Sequence, residues 1–299
     1  MKRGSTGQNR EAAMTFRSYL ELCKLRIGMM IALTAMVGYA AIAPQIDPAA
    51  LLLLGLAMVL GSAASSVFNH FYDRDIDARM QRTRRRPLAS GAMQNPYWSL
   101  AFAGGLLVAG LSLAGGAFNW AVALHLFLGA FVYGVVYTVW LKRRTWLNIV
   151  IGGAAGSFAV LAGGAAVDPS QWLLPTLMAI TLFLWTPSHF WALAILLRED
   201  YARAGVPMLP VLVGPERCAQ AIMVNSVLLV ASATLPWAFG ELGAVYGLIA
   251  LAFGGRFLWL SWALLKDPST ALARKTFLGS MLYLLGVFVA VLLDKHWPL

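Results

Sequence analysis

The sequence predicts an all-α membrane protein, a bundle of nine transmembrane helices with the N-terminus on the cytoplasmic side. Three observations predict it. Of 299 residues, 60% are hydrophobic and only 12% are charged, about half the charged share of an ordinary soluble domain. The apolar residues gather in nine long runs, each about the 20 residues that a helix needs to cross ~30 Å of hydrocarbon. Basic residues crowd into alternate connections between those runs.

The runs lie near 27–46, 50–70, 97–115, 120–140, 146–166, 172–194, 219–238, 243–264 and 275–293. They are continuous and lack the period-two alternation of a barrel strand. Inside lipid a segment must satisfy its own backbone, which selects helices. The pairs Gly104–Gly105, Gly115–Gly116, Gly152–Gly153 and Gly163–Gly164 would let helices approach closely. Met1 to Phe16 is polar and has no cleavable signal pattern, so the first run is expected to be retained. Residues 1–20 then form a polar cytoplasmic tail, and 1–299 is expected to be a single polytopic domain.

The net charge of +10 would suit nucleic acid, but its distribution argues for topology instead. All but two of the 23 lysines and arginines precede the first run or fall in the second, fourth, sixth and eighth connections. The exceptions are Arg256, inside a run, and Lys295, at the far end. The positive-inside rule puts the basic connections in the cytoplasm, with the C-terminus opposite. Asp73, Asp75 and Asp77 open the second connection, and Glu199 and Asp200 open the sixth. These two connections are four runs apart, which hints at a duplicated four-helix unit and at two loops sharing one mouth. Cys23 and Cys218 lie far apart near cytoplasmic ends, where thiols stay reduced. Neither reads as a disulfide or metal ligand.

Asn69, Asp73 and Asp77 are spaced four apart, so on a helix they share a face and rise roughly 6 Å per step. Carboxylates so placed can grip a hard cation such as Mg²⁺. Arg79, Arg82, Arg84, Arg85 and Arg86 follow, and guanidinium forks suit phosphate. A metal beside phosphate binders fits a diphosphate ester, whereas a solvated helix end with charge pairs is the plainer alternative. Glu199 and Asp200, next to Arg198, either complete a metal site across the mouth, with Asp200 as ligand, or mark the end of a span. Lys142, Arg143, Arg144 and Asn148 form a phosphate clamp, a topology signal, or both.

Tyr133 and Tyr137, four apart, offer π faces to a cation, as do Trp140, Trp185 and Trp191; an interfacial belt is the commoner use of such rings. His189 sits late in the sixth run. An ionisable group at that depth faces a cavity or substrate, even an iron, or bridges helices. His125 reads as packing and His296 as solvated. His70, three residues before Asp73, either pairs with that acid or packs.

These stretches resemble the UbiA-type intramembrane prenyltransferases. The matching segments are Asn69 to Asp77, Arg82 to Leu88, and Tyr137 to Thr145 with Asn148 and Gly152–Gly153. Trp185 to Leu193, Arg198 to Tyr201, Gly205 to Pro210, and Lys24 to Arg26 continue the match. The Trp–His–Phe–Trp and Pro-Met-Leu-Pro segments point to the haem-modifying branch. The resemblance covers about 20–292. It implies nine helices around a central cavity, with Mg²⁺ and prenyl diphosphate at the cytoplasmic mouth. It implies transfer of farnesyl from farnesyl diphosphate to a vinyl group of haem B, giving haem O. A bacterial inner-membrane location would follow, with hand-off to a downstream haem-processing enzyme or terminal oxidase assembly. Asn69, Asp73 and Asp77 would hold diphosphate through Mg²⁺, while Arg82, Arg86, Lys142 and Arg143 would hold its oxygens. Tyr133, Tyr137, Asn148, His189 and Arg198 would complete the substrate site. Related quinone prenyltransferases carry a second motif richer in aspartate; here His189 stands near its start and the acids come later. The readings left in competition are a prenyltransferase acting on a quinone-precursor ring, a transporter with acidic gates and a structural assembly subunit.

Overall fold

The computed structural model describes residues 16–93 and 95–297. The polar tail through residue 15 lies outside them. The described residues form helices and no strand, and nine of the helical segments are long and apolar enough to cross a membrane. Each overlaps one of the nine runs.

A short α1 (Phe16–Cys23) leads through Lys24 into α2 (Leu25–Ile42). α3 (Pro48–Tyr72) starts with Pro48 behind Asp47, whose carboxylate accepts the Ala49 amide, a cap that satisfies an otherwise orphaned donor. α4 (Arg74–Asp77) is a single turn. α5 (Tyr97–Ala117) and α6 (Trp120–Phe131) follow, and α6 continues as a π-helical segment, Val132–Leu141. The fifth run is split at Gly153 into α7 (Asn148–Gly152) and α8 (Ala154–Val167). Next come α9 (Leu173–Leu196) and α10 (Arg198–Arg203). α11 (Leu209–Ala238) starts ten residues ahead of the run at 219, because Leu209 onward adds a turn before a break at Gly214. α12 (Ala244–Lys266) and α13 (Thr270–His296) close the bundle.

α3, α5, α6 and α8 pack on one side, and α9, α11, α12 and α13 on the other. α2 touches both sets, and α8–α9 and α13–α2 contacts close the ring. One core joins Val37 and Val160 to Leu229, Tyr246, Phe257 and Tyr283. A second, under α3 and α6, joins Ala35, Leu54, Ala57 and Val122. Leu52, Trp98, Trp120, Trp172 and Trp259 face outward, as lipid-facing and interfacial side chains do.

Two of the four glycine pairs make the expected close approaches. A methyl on Gly163 would collide with the Ala35 carbonyl, and one on Gly153 would come 2.8 Å from Thr186. Gly104, Gly105 and Gly116 have open space around them instead, because that face of α5 is exposed. Both cysteines are free and buried.

Candidate active site

α3 ends at Tyr72, and Asp73 is the joint before α4. The Asp73 amide donates to the Asn69 carbonyl (2.9 Å) and the Asp77 amide to the Asp73 carbonyl (2.8 Å). Helical spacing therefore survives the joint, and the stripe turns inward: Asn69, Asp73 and Asp77 are 3%, 0% and 3% exposed.

Buried carboxylates persist only when paired. Asp73 Oδ2 accepts from Lys142 Nζ and, at 2.7 Å, from Asn69 Nδ2. Arg143 Nη2 lies 3.4 Å from Asp73 Oδ1. Asp77 Oδ2 takes Arg86 Nη1 at 2.7 Å. Arg143 also forks onto Asp75, both bonds 2.7 Å, and donates to the Tyr72 carbonyl. That fork holds the Asp75 carboxyl below the usual carboxylate range.

Lys24 has φ 45°, a left-handed joint rare outside glycine. It directs Nζ to Asn69 Oδ1 (2.9 Å) and to the Tyr133 hydroxyl (3.5 Å). Burial, then the neighbouring Arg86 and Lys142, bring this amine down to about 7. The mouth thus gathers cationic groups faster than acids neutralise them, as an anion site requires.

The π-helical segment sets the opposite wall. Its i→i+5 pattern, a common device at functional sites, runs on to Lys142, whose amide donates to the Tyr137 carbonyl at 2.8 Å. Thr138 Oγ1 donates to the Tyr133 carbonyl (2.8 Å) and accepts from Asn69 Nδ2 (3.1 Å). Tyr133 and Tyr137 stack with centroids 5.6 Å apart and planes 17° off parallel. Lys142 Nζ lies 5.8 Å from the Tyr137 ring.

Below Lys24 and Tyr133 an apolar cavity runs between α2, α3, α6 and α8, with Ile27, Ile31, Met58, Leu126 and Phe158 in its walls. On α3 its lining extends from Ser66 down to Met58, about 12 Å at 1.5 Å per residue.

Other candidates sit on the loop after α4, on α7 and on α10. Arg82 Nη2 lies 3.3 Å from the Tyr201 hydroxyl, with its guanidinium 5.4 Å over that ring. Asp200 is buried, and its Oδ1 accepts the Gln81 amide (3.1 Å) and Arg203. Burial works to raise this carboxyl, but the Gln81 and Arg82 amides and Arg203 outweigh it and hold it low. Arg198 and Glu199 are exposed. With Asp200 they line a second cavity, beside Pro215 and Pro268. Asn148 is fully buried and donates to the Thr145 carbonyl (2.7 Å) and, at 3.4 Å, to that of Lys142, so it braces the turn that carries Lys142. Among the described residues no three or more of His, Cys, Asp and Glu are grouped so that they alone could hold a metal ion.

α9 carries Pro187 in its interior, a residue that removes one helical hydrogen bond. Asn225 from α11 donates to the Leu184 carbonyl (2.6 Å) and Ser188 Oγ (2.7 Å) beside it. His189 follows, buried and stacked on Trp185 at 4.2 Å, with Phe277 at 4.6 Å. Ser280 Oγ lies 2.7 Å from both the Phe277 carbonyl and His189 Nδ1. His70 makes no bond to Asp73: both ring nitrogens are buried without a partner among the described residues. His125 packs on Phe158 and lines the apolar cavity. His296 is half-buried, and its Nε2 lies 2.8 Å from the Ala40 carbonyl.

Asp73 and Asp77 present hard carboxylate oxygens in a buried site, the donor type that Mg²⁺ takes. Asn69 offers one amide oxygen, now shared with Lys24. The donor set fits a divalent cation held by one or two carboxylates together with a phosphate. Sequence reasoning singled out Lys142, Arg143 and Arg86 but gave no role to Lys24, Thr138 or Tyr201. The matching Lys24-Leu-Arg26 segment was the available signal for the first.

The model of the UbiA prenyltransferase family matches residues 31–289. "Protoheme IX farnesyltransferase 1" of Paramagnetospirillum magneticum is 62% identical over 284 residues, covering 95% of this chain and 100% of that protein. "Protoheme IX farnesyltransferase 2" of the same organism is 47% identical, covering 91% and 94%. Among solved structures, a digeranylgeranylglyceryl phosphate synthase superposes with TM-score 0.78 at 21% identity, covering 93% of this chain and 98% of that one. A UbiA homolog from Archaeoglobus fulgidus, bound to DMAPP and Mg²⁺, gives 0.71 at 20% identity, covering 92% and 99%.

Proposed function

The chain belongs to the UbiA prenyltransferase family, and from that membership we propose that it transfers a farnesyl group from farnesyl diphosphate to a vinyl group of haem B, giving haem O and diphosphate. It is an integral membrane prenyltransferase. The observation that carries the finer reading is a pair of buried aspartates, ringed by lysine and arginine, above an apolar cavity. The relatives named protoheme IX farnesyltransferase support farnesyl and haem as the substrates.

Asp73 and Asp77, with the Asn69 amide oxygen, would hold Mg²⁺. When bound, that ion neutralises charge on the diphosphate. Lys24, Arg86, Lys142 and Arg143 contact the diphosphate oxygens and stabilise the charge that grows on them as the farnesyl C1–O bond breaks. Arg82 reaches the same oxygens from the α10 side, and Asn148 keeps Lys142 in place. The apolar cavity takes the isoprenoid tail and keeps water from it. The stacked faces of Tyr133 and Tyr137 stabilise the allylic cation. The vinyl π electrons form the new C–C bond. Water adds to the resulting carbocation and loses a proton, leaving the hydroxyl. His189, behind its aromatic stack, contacts haem, and Arg198 at the rim suits a propionate.

The basic connections on one side support a reading with the N-terminus and the mouth in the cytoplasm, a bacterial inner membrane around the bundle and 1–299 as one domain. Product would pass to a later haem-processing enzyme or oxidase assembly. Incubating the purified protein with farnesyl diphosphate, Mg²⁺ and haem B, and separately with a quinone-precursor ring, tests the reading. Haem O by mass is expected. Prenylation of the ring alone, or transport of the diphosphate without product, overturns it.

A further inference from the structure

All 13 acidic residues lie outside the nine apolar runs, and among the lysines and arginines only Arg256 stands in the interior of one. Its place on α12 is central. At 1.5 Å per residue, about 18 Å of helix separate it from Ala244 and about 15 Å from Lys266. That is the middle of a ~30 Å hydrocarbon layer. Arg256 is exposed and makes no hydrogen bond, ion pair or ring contact among the described residues. Arginine is among the costliest side chains to leave at that depth. Such residues normally turn to a bundle interior or pair with another group; this one turns outward. Basic side chains near span ends escape by reaching the headgroups, but from mid-span an arginine side chain reaches neither edge.

The face around it suits a helix better than lipid. Leu248, Ala252, Gly255 and Trp259 share that face at helical spacing, and all are exposed. No atom lies within 4 Å of where a methyl on Gly255 would sit. Small residues beside the guanidinium let a second backbone come close, with Leu248 and Trp259 bracketing the approach. A second copy of this chain does not complete the surface. Its apolar runs hold no carboxylate, and two such faces brought together would set Arg256 against Arg256. A guanidinium pairs best with a carboxylate, through two parallel hydrogen bonds.

We propose that this face of α12 docks a transmembrane helix of another membrane protein, and that Arg256 recognises an aspartate or glutamate near the middle of that helix. The partner's chemistry is an apolar span with one acid at bilayer mid-depth. The surface lies on the outside of the bundle and uses no residue of the diphosphate site.

The probe is a synthetic transmembrane peptide rich in leucine and alanine with one central glutamate, beside its twin with glutamine there. The full chain, with a donor fluorophore on an N-terminal tag, is placed in phosphatidylcholine vesicles. Energy transfer is read as acceptor-labelled peptide is added. The glutamate peptide should bind about three- to thirtyfold tighter than its twin, the range of one polar contact between helices in lipid. Arg256→Leu should abolish that preference, and Arg256→Lys should keep part of it. Arg256→Leu should also melt no lower than wild type, because it removes an unpaired charge; a lower melt would show Arg256 engaged within its own chain and overturn the proposal. Equal binding of the two peptides by wild type overturns it as well. Self-association that Arg256→Leu abolishes would make the occupant a second copy. Arg256-dependent enrichment of spin-labelled phosphatidylglycerol that the glutamate peptide does not displace would make it lipid. Either result contradicts the proposal.

Discussion

Lys24 reaches Asn69 across the top of two helices, its Nζ 2.9 Å from Oδ1. The amine comes from a left-handed joint and the amide from the last turns of α3. Crowded by Arg86 and Lys142, the amine gains an opposite charge when diphosphate enters. Lys24→Met should therefore raise KM for farnesyl diphosphate. A hydrogen bond to a charged group contributes about 1.5–3 kcal/mol, or ten- to a hundredfold. Steady-state kinetics with haem held saturating checks this; an unchanged KM would remove Lys24 from the site.

Much of this arrangement was legible in the sequence because it is local. Nine apolar runs become nine spans since length and hydropathy alone decide whether a helix crosses lipid. The Asn69–Asp73–Asp77 stripe was readable for the same reason, as helical period is a property of neighbours. Lys24 was not, because its direction depends on one unusual φ. The sequence sets Asp200 opposite Asp73, but its bonds to the Gln81 amide and Arg203 depend on how α10 meets the loop after α4, which spacing does not tell. The π-helical step before Lys142 was equally hidden, since hydropathy counts residues and not turns.

Ser280 holds the His189 ring through a 2.7 Å contact to Nδ1. Ser280→Ala leaves that nitrogen without a partner inside the bundle. Conversion of haem should fall about three- to tenfold, the range of one hydrogen bond, and His189→Ala should cost more. Farnesyl thiodiphosphate binding should stay constant in both. Haem affinity and turnover measured beside analogue affinity separate the two substrates. Normal haem conversion in His189→Ala would reduce the residue to packing.

Ser62 lines the apolar cavity between Met58 and Ser66. Ser62→Phe should fill part of the space given to the tail. A mismatch of even one methylene in an apolar pocket is worth about 1–3 kcal/mol of discrimination, so farnesyl transfer should drop at least roughly tenfold. Transfer of the shorter geranyl group should suffer less. Comparing kcat/KM for the two diphosphates decides; an equal loss for both would place the tail elsewhere.

The central claim is that Asp73 and Asp77 bring about departure of diphosphate within the bundle. Rapid-quench measurement of diphosphate release alongside haem O formation tests it most directly, in wild type, Asp73→Asn and Asp77→Asn. Removing a group that stabilises a transition-state charge costs about 10²–10³ in rate. Wild type should release one diphosphate per haem O. Each variant should remain monodisperse, bind haem, and release diphosphate slower by that factor. Release at the wild-type rate from either variant would contradict the account.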